Sequence, residues 1–152
     1  MTIKLSETAP DFSLKDQNEA VVSLKNLNGR KILLSFHPLA WTSICAKQMN
    51  LIEENYQKFI DLNTIPFGIS VDPVPSKKAW AESLKLKNLK ILSDFWPHGE
   101  VSSKFGLFME RFGFSERANI IIDEKGTIIF VKVYPIKEVP DFEEVLVFLR
   151  GR

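Results

Sequence analysis

Cysteine, glycine and net charge are all scarce in this chain, and each scarcity excludes a class of protein. Among 152 residues there is one cysteine, Cys45. No disulfide can close within the chain, so it is not a small secreted fold stapled by disulfides, and a reducing compartment such as the cytoplasm is expected. The 20 Lys and Arg residues are matched by 19 Asp and Glu, leaving a net charge of +1. That balance, with no long basic run, points away from nucleic acid and from anionic membrane as partners. No stretch approaches the roughly 18 uninterrupted apolar residues of a membrane span. The first twelve residues carry Lys4, Glu7, Pro10 and Asp11 and do not read as a signal peptide. The two histidines and the cysteine lie too far apart in sequence for metal-site spacing. The seven glycines include neither a phosphate-cradling loop nor a dinucleotide fingerprint, so no cofactor and no metal are expected.

What is present is a mid-sized globular composition, 45% hydrophobic and 26% charged, and residues 1–152 read as one domain. Lys31–Phe36 is an apolar run suited to a buried strand. Residues 64–71, 117–123 and 127–133 read as further strands. The last two flank Asp123-Glu124-Lys125-Gly126, a turn that predicts a hairpin. Residues 12–14 and 21–24 predict a small N-terminal hairpin. From residue 41 to about 62, Met49, Ile52, Tyr56, Phe59 and Ile60 share one helical face. Ser76 is expected to cap a helix running through Trp80. Residues 97–105 predict a short helix, and Pro140 is expected in the first turn of a C-terminal helix striped by Phe142, Val145, Leu146 and Leu149. Alternating strands and helices imply an α/β layered sheet. A closing hairpin followed by a helix is what a thioredoxin-like fold, a central mixed sheet flanked by helices, requires.

The chemistry concentrates in Phe36-His37-Pro38-Leu39-Ala40-Trp41-Thr42-Ser43-Ile44-Cys45. A buried strand ends, a proline breaks it and a helix begins near Trp41 or Thr42, which puts Cys45 in the first helical turn. Free amides and the positive end of the helix dipole favour a thiolate there, and the thiolate is the nucleophilic form. Thr42, three residues earlier, falls on the same face, where its hydroxyl is expected to donate to the sulfur or to a bound substrate oxygen. Pro38, with its rigid ring and no N–H, is placed to shield the sulfur from water.

Pro38-x-x-x-Thr42-x-x-Cys45 resembles the active-site signature of the peroxiredoxins, the alkyl hydroperoxide reductase/thiol-specific antioxidant family. The resemblance extends along the chain. Ala9-Pro10-Asp11-Phe12-Ser13-Leu14, the segment from Asp72 through Ser76 to Ala79-Trp80, Leu92-Ser93-Asp94 and Phe105-Gly106 match the family in order. Arg117, ahead of Ala-Asn-Ile-Ile-Ile-Asp-Glu-Lys-Gly, resembles the family's active-site arginine; Arg111 is its nearest competitor. The resemblance implies a thiol peroxidase with Cys45 as peroxide-attacking cysteine. Thr42 and the amides near Ile44 and Cys45 would align the peroxide, and Arg117 would stabilise charge as the O–O bond breaks. It also implies a sulfenic acid on Cys45. A homodimer is the expected assembly, with the apolar segment 105–114 either core or subunit contact.

With no second cysteine, the chain resembles a one-cysteine member. Its sulfenic acid must be resolved by an external thiol: thioredoxin, glutaredoxin or a low-molecular-weight thiol. Three positions depart from the family pattern. His37 stands where an aromatic residue usually precedes the proline, Gln48 where a glutamate often orients the arginine, and Ala46 where threonine or serine is common. Loss of the carboxylate at position 48 predicts a less firmly oriented Arg117. The competing reading keeps the fold but makes Cys45 a slow redox sensor, or the chain an inactive binding module; steady-state turnover with a thiol separates them.

Overall fold

The computed structural model describes all residues from Met1 to Arg152. In chain order the elements are β1 (Ser13–Lys15), β2 (Val21–Ser23), β3 (Lys31–Phe36), α1 (Ser43–Glu54), α2 (Tyr56–Asp61), β4 (Thr64–Ser70), α3 (Val74–Ser83), β5 (Lys90–Ser93), α4 (Glu100–Lys104), β6 (Phe108–Met109), β7 (Phe114–Ser115), β8 (Arg117–Ile122), β9 (Ile128–Tyr134) and α5 (Phe142–Arg150). Seven strands form one mixed sheet in the order β2-β1-β5-β4-β3-β8-β9, and β6 and β7 form a separate small hairpin. The architecture is thioredoxin-like, as the element order implies. No helix is long and apolar enough to cross a membrane.

The continuous apolar runs of β3 and β8 are explained by burial on both faces of the sheet. Ile32, Leu34 and Phe36 point into one core layer with Ala118, Ile120 and Ile122. Leu33 and Ile121 point into the other, against Met49, Ile52, Phe59 and the α5 stripe Phe142, Val145, Leu146 and Leu149. Each of the isoleucine, leucine, valine, methionine and phenylalanine side chains contributes about 1.5–3 kcal/mol on burial. Gly68 on β4 suits this packing, because a Cβ there would force the Met49 side chain of α1 to shift.

Four helices differ at their boundaries from the sequence expectations; one is α4, which begins at Glu100 rather than at residue 97. The long helix after Trp41 is two helices, because the Asn55 side chain donates to the Leu51 carbonyl (2.8 Å) and competes with the backbone ladder. Ser76 does not cap α3. The helix starts earlier, with Pro73 at its N-cap and Pro75 in its first turn, and Lys77 N donates to Pro73 O at 3.0 Å. Pro140 precedes α5 rather than entering it; the cap is Asp141, whose carboxylate accepts from Glu144 N at 3.2 Å.

The topology gathers three chain segments at one end of the sheet. β3 pairs in parallel with β4 but antiparallel with β8, and Phe36 at the end of β3 stands opposite Ala118. Arg117 in turn stands opposite Tyr134 at the end of β9. The exit of β3, the entry of β8 and the exit of β9 therefore meet at one end of the sheet.

Candidate active site

Cys45 is the third residue of α1 and is fully buried. The first intrahelical bond runs from Ala46 N to Thr42 O at 2.9 Å, so the amides of Ser43, Ile44 and Cys45 have no acceptor within the helix. Thr42 is the N-cap by backbone geometry, with φ −109° and ψ 149°, but its side chain makes no capping bond. Just before it, Trp41 holds a left-handed φ of 68°, an uncommon conformation for a bulky residue. Two contacts pin this loop: Trp41 Nε1 donates to Ser76 Oγ at 3.0 Å, and Ala40 N donates to Asp72 Oδ2 at 2.8 Å.

Of the partners expected around the sulfur, Arg117 is in place: buried at the start of β8, it puts Nη1 at 3.2 Å from Cys45 Sγ. The same Nη1 donates to Gln48 Oε1 at 2.7 Å, while Nε and Nη2 donate to the Ile136 carbonyl at 3.1 and 2.7 Å. Pro38 is buried, and Thr42 is exposed at the rim. Both line a pocket of about 310 Å³ with Leu39, Ile44, Cys45, Phe114, Arg117 and Ile136. The expected donor role of Thr42 is not what the geometry provides. Its hydroxyl proton goes to Leu39 O at 2.8 Å, which leaves the oxygen as an acceptor toward the pocket.

Gln48 does the orienting work expected of a carboxylate. Its Nε2 donates to Ser35 Oγ (2.8 Å) and Phe36 O (3.1 Å), which aims Oε1 at the guanidinium. Ser35 Oγ passes its own proton to Asn119 Oδ1 at 2.7 Å, and Asn119 Nδ2 donates to Tyr134 Oη at 3.3 Å. A chain of buried polar groups thus runs from β9 through β8 and β3 to the sulfur. Because the amide is uncharged, Arg117 has no carboxylate partner among the ion pairs of the protein. The buried guanidinium is held by neutral acceptors, the Gln48 amide oxygen and the Ile136 carbonyl, and makes its remaining contact with the Cys45 sulfur at 3.2 Å.

The AhpC/TSA family model matches residues 5–131. The chain belongs to the AhpC/TSA family. It is 38% identical over 140 residues to the alkyl hydroperoxide reductase E of Mycobacterium tuberculosis, covering 91% of each protein. It is 30% identical over 156 residues to a putative peroxiredoxin bcp of Haemophilus influenzae, covering 98% of this chain and 97% of that one. Among solved structures, the peroxidoxin BcpB of M. tuberculosis superposes with a TM-score of 0.86 at 26% identity, over 98% of this chain and 97% of that one. The AhpC of Enterococcus faecalis shares the fold, with a TM-score of 0.90 at 24% identity, over 99% of this chain and 92% of that one. As an AhpC/TSA protein the chain is a thiol-dependent peroxidase: it takes a peroxide as oxidant and a thiol as reductant. In this AhpC/TSA protein the Ile136 carbonyl, which grips Arg117, is the site group that sequence reasoning missed. A backbone oxygen in an exposed turn leaves no residue-type signal.

Proposed function

We propose that Cys45 is the peroxide-attacking sulfur of this peroxidase and that Arg117, Thr42 and Pro38 are its partners at the site. The Cys45 thiolate attacks one peroxide oxygen. The O–O bond breaks, and the other oxygen takes a proton and leaves as water or an alcohol, so Cys45 becomes a sulfenic acid. Arg117 and the free amides of α1 hold the charge that moves onto the leaving oxygen. Thr42 accepts from the peroxide O–H, and Pro38 keeps water from the sulfur. The observation that carries this reading is the 3.2 Å contact between Arg117 Nη1 and Cys45 Sγ at the base of the pocket.

An external thiol, in the form of thioredoxin, glutaredoxin or a low-molecular-weight thiol, then attacks the sulfenic sulfur, and a second thiol releases the mixed disulfide. A reducing cytoplasm suits the single cysteine. The substrates proposed are hydrogen peroxide and organic hydroperoxides, the latter suited by the apolar Leu39, Ile44, Phe114 and Ile136 around the pocket. A homodimer is the assembly proposed. Phe112, 58% exposed and stacked on the pocket residue Phe114, offers apolar surface beside the site.

The test is peroxide loss and mass spectrometry of Cys45 after one equivalent of oxidant, with each candidate thiol supplied in turn. Wild-type protein is expected to form one sulfenic acid and to turn over with at least one thiol. Peroxide loss no faster than in Cys45→Ser would refute the assignment.

A further inference from the structure

A cavity of about 560 Å³, larger than the one around Cys45, opens where the parallel strands β3, β4 and β5 begin. The Cys45 site lies beyond the other end of β3, and the two cavities share no residue. The six residues of β3 put about 20 Å of strand between them. Ile65 and Phe67, two apart on β4, face this cavity together, with Val22 of β2 and Ile60 of α2. Val21, 63% exposed, adds apolar surface open to solvent.

The polar side of the same cavity carries Arg30, Lys90 and the Tyr56 hydroxyl, and no carboxylate lines it. Neither cation belongs to any ion pair of the protein. Arg30 stands in the turn between the single-turn helix Leu24–Leu27 and β3, and its backbone is held there by a bond from Arg30 N to Leu27 O at 3.2 Å. Its Nε is buried and has no hydrogen-bond partner. Its two terminal nitrogens have no protein partner either, yet they stay accessible. A half-buried guanidinium that gives none of its donors to the protein is costly for the fold alone. Carboxylates on neighbouring elements are engaged elsewhere. Glu53 accepts from the amides of Lys87, Asn88 and Leu89, Asp61 accepts from Gln57 Nε2, and Glu124 pairs with Lys31. Burial raises Tyr56 above its ordinary 10, so its hydroxyl remains a donor at neutral pH.

We propose that this cavity is a binding site for a free medium-chain monocarboxylic acid, separate from the cavity around the cysteine. The carboxylate meets the terminal nitrogens of Arg30, whose planar fork matches its two oxygens, with Lys90 and the Tyr56 hydroxyl as further donors. The hydrocarbon chain covers Val22, Ile60, Ile65 and Phe67. Seven of the thirteen lining residues are apolar, a wall that a hydrocarbon body satisfies and a sugar phosphate does not. The site stands whether or not Cys45 reduces peroxides.

Amide chemical shifts of the full-length protein, followed during titration with octanoate, test this. Octanoate is expected to bind saturably and one-to-one, moving the amides of Val22, Ile60, Ile65 and Phe67 and leaving those of Leu39, Ile44 and Phe114 in place. Arg30→Met, 1-octanol and acetate are each expected to weaken binding about tenfold or more, the first two by removing one side of the charged contact and the third by removing the tail. No saturable shift in the millimolar range overturns the proposal, as do shifts centred on the Cys45 cavity. Octanoate bound equally well by a folded Arg30→Met protein overturns it too. If that variant does not fold, the wild-type comparison decides: 1-octanol binding as tightly as octanoate refutes the role of the charge. Octyl phosphate binding more tightly than octanoate refutes the carboxylate class.

Discussion

Arg117 spends its donors on one sulfur, one side-chain amide and one backbone carbonyl, and none on a carboxylate. A guanidinium clamped from both sides keeps its planar fork aimed without thermal search, which is where a charged group is most effective at a developing negative charge. Arg117→Met is therefore expected to lower the second-order rate of Cys45 oxidation by about 100-fold or more, with the folded state retained. Stopped-flow oxidation under single-turnover conditions reads it, and a loss below about threefold would mean that the contact is structural. Pro38, Thr42 and Cys45 stood out by their spacing and Arg117 by the family resemblance of its segment, and the four line one pocket. The hydrogen-bond direction at Thr42 was not legible, because a hydroxyl can give or take and only the nearby Leu39 carbonyl decides. Gln48 was legible as a departure from the family pattern. That an amide could still hold the arginine depended on Ser35 and Phe36 fixing which way it points.

At the scale of elements, the strands were easier to read than the helix ends. Runs such as Lys31–Phe36 declare themselves because both faces are buried and every position is apolar or satisfied. Helix ends depend on single polar side chains choosing between competing partners. Ser76 illustrates this: it is a good cap by composition, yet it sits inside α3 and receives the Trp41 indole N–H instead. At α5 the choice falls on Asp141, with Glu143 and Glu144 following in the first turn and Arg150 in the last, all favourable to the helix dipole. Asp141→Ala is expected to cost about 1 kcal/mol of stability without changing the rate of peroxide reduction. Urea unfolding monitored by far-ultraviolet dichroism measures it, and an unchanged midpoint would show that the cap is not carrying the helix.

For the whole molecule, two buried bases contribute to the pH dependence of stability. Lys77 falls from an ordinary 10.5 to about 7 in the folded protein, chiefly by desolvation. Between those values the unfolded chain holds a proton that the folded protein has released, so stability rises with pH across that window. His37 is lowered well below 6.5, again chiefly by desolvation, with Lys77 adding repulsion. On acidification through 6.5 the unfolded chain gains a proton that the folded protein refuses, so stability falls. Lys77→Met is expected to remove the alkaline gain and His37→Phe to soften the acid loss. Denaturation curves at about pH 5, 7 and 9 test both, and variants that track the wild-type slope would contradict it.

By itself the sequence determined the strand and helix order, the two-faced burial of the central strands and the placement of a lone cysteine at a helix start, because these follow from local periodicity, turn chemistry and a dense ordered motif. Only the tertiary structure decided which groups meet at the sulfur. Arg117 lies 72 positions from Cys45, and the Ile136 carbonyl lies 19 further on from Arg117. Their convergence depends on β8 running antiparallel between β3 and β9 in one particular register. Lys77 and His37, 40 positions apart, share a proton donor and acceptor only because α3 packs against the end of β3. Pairings of that kind arise from strand order and layer packing, which no local window of residues encodes.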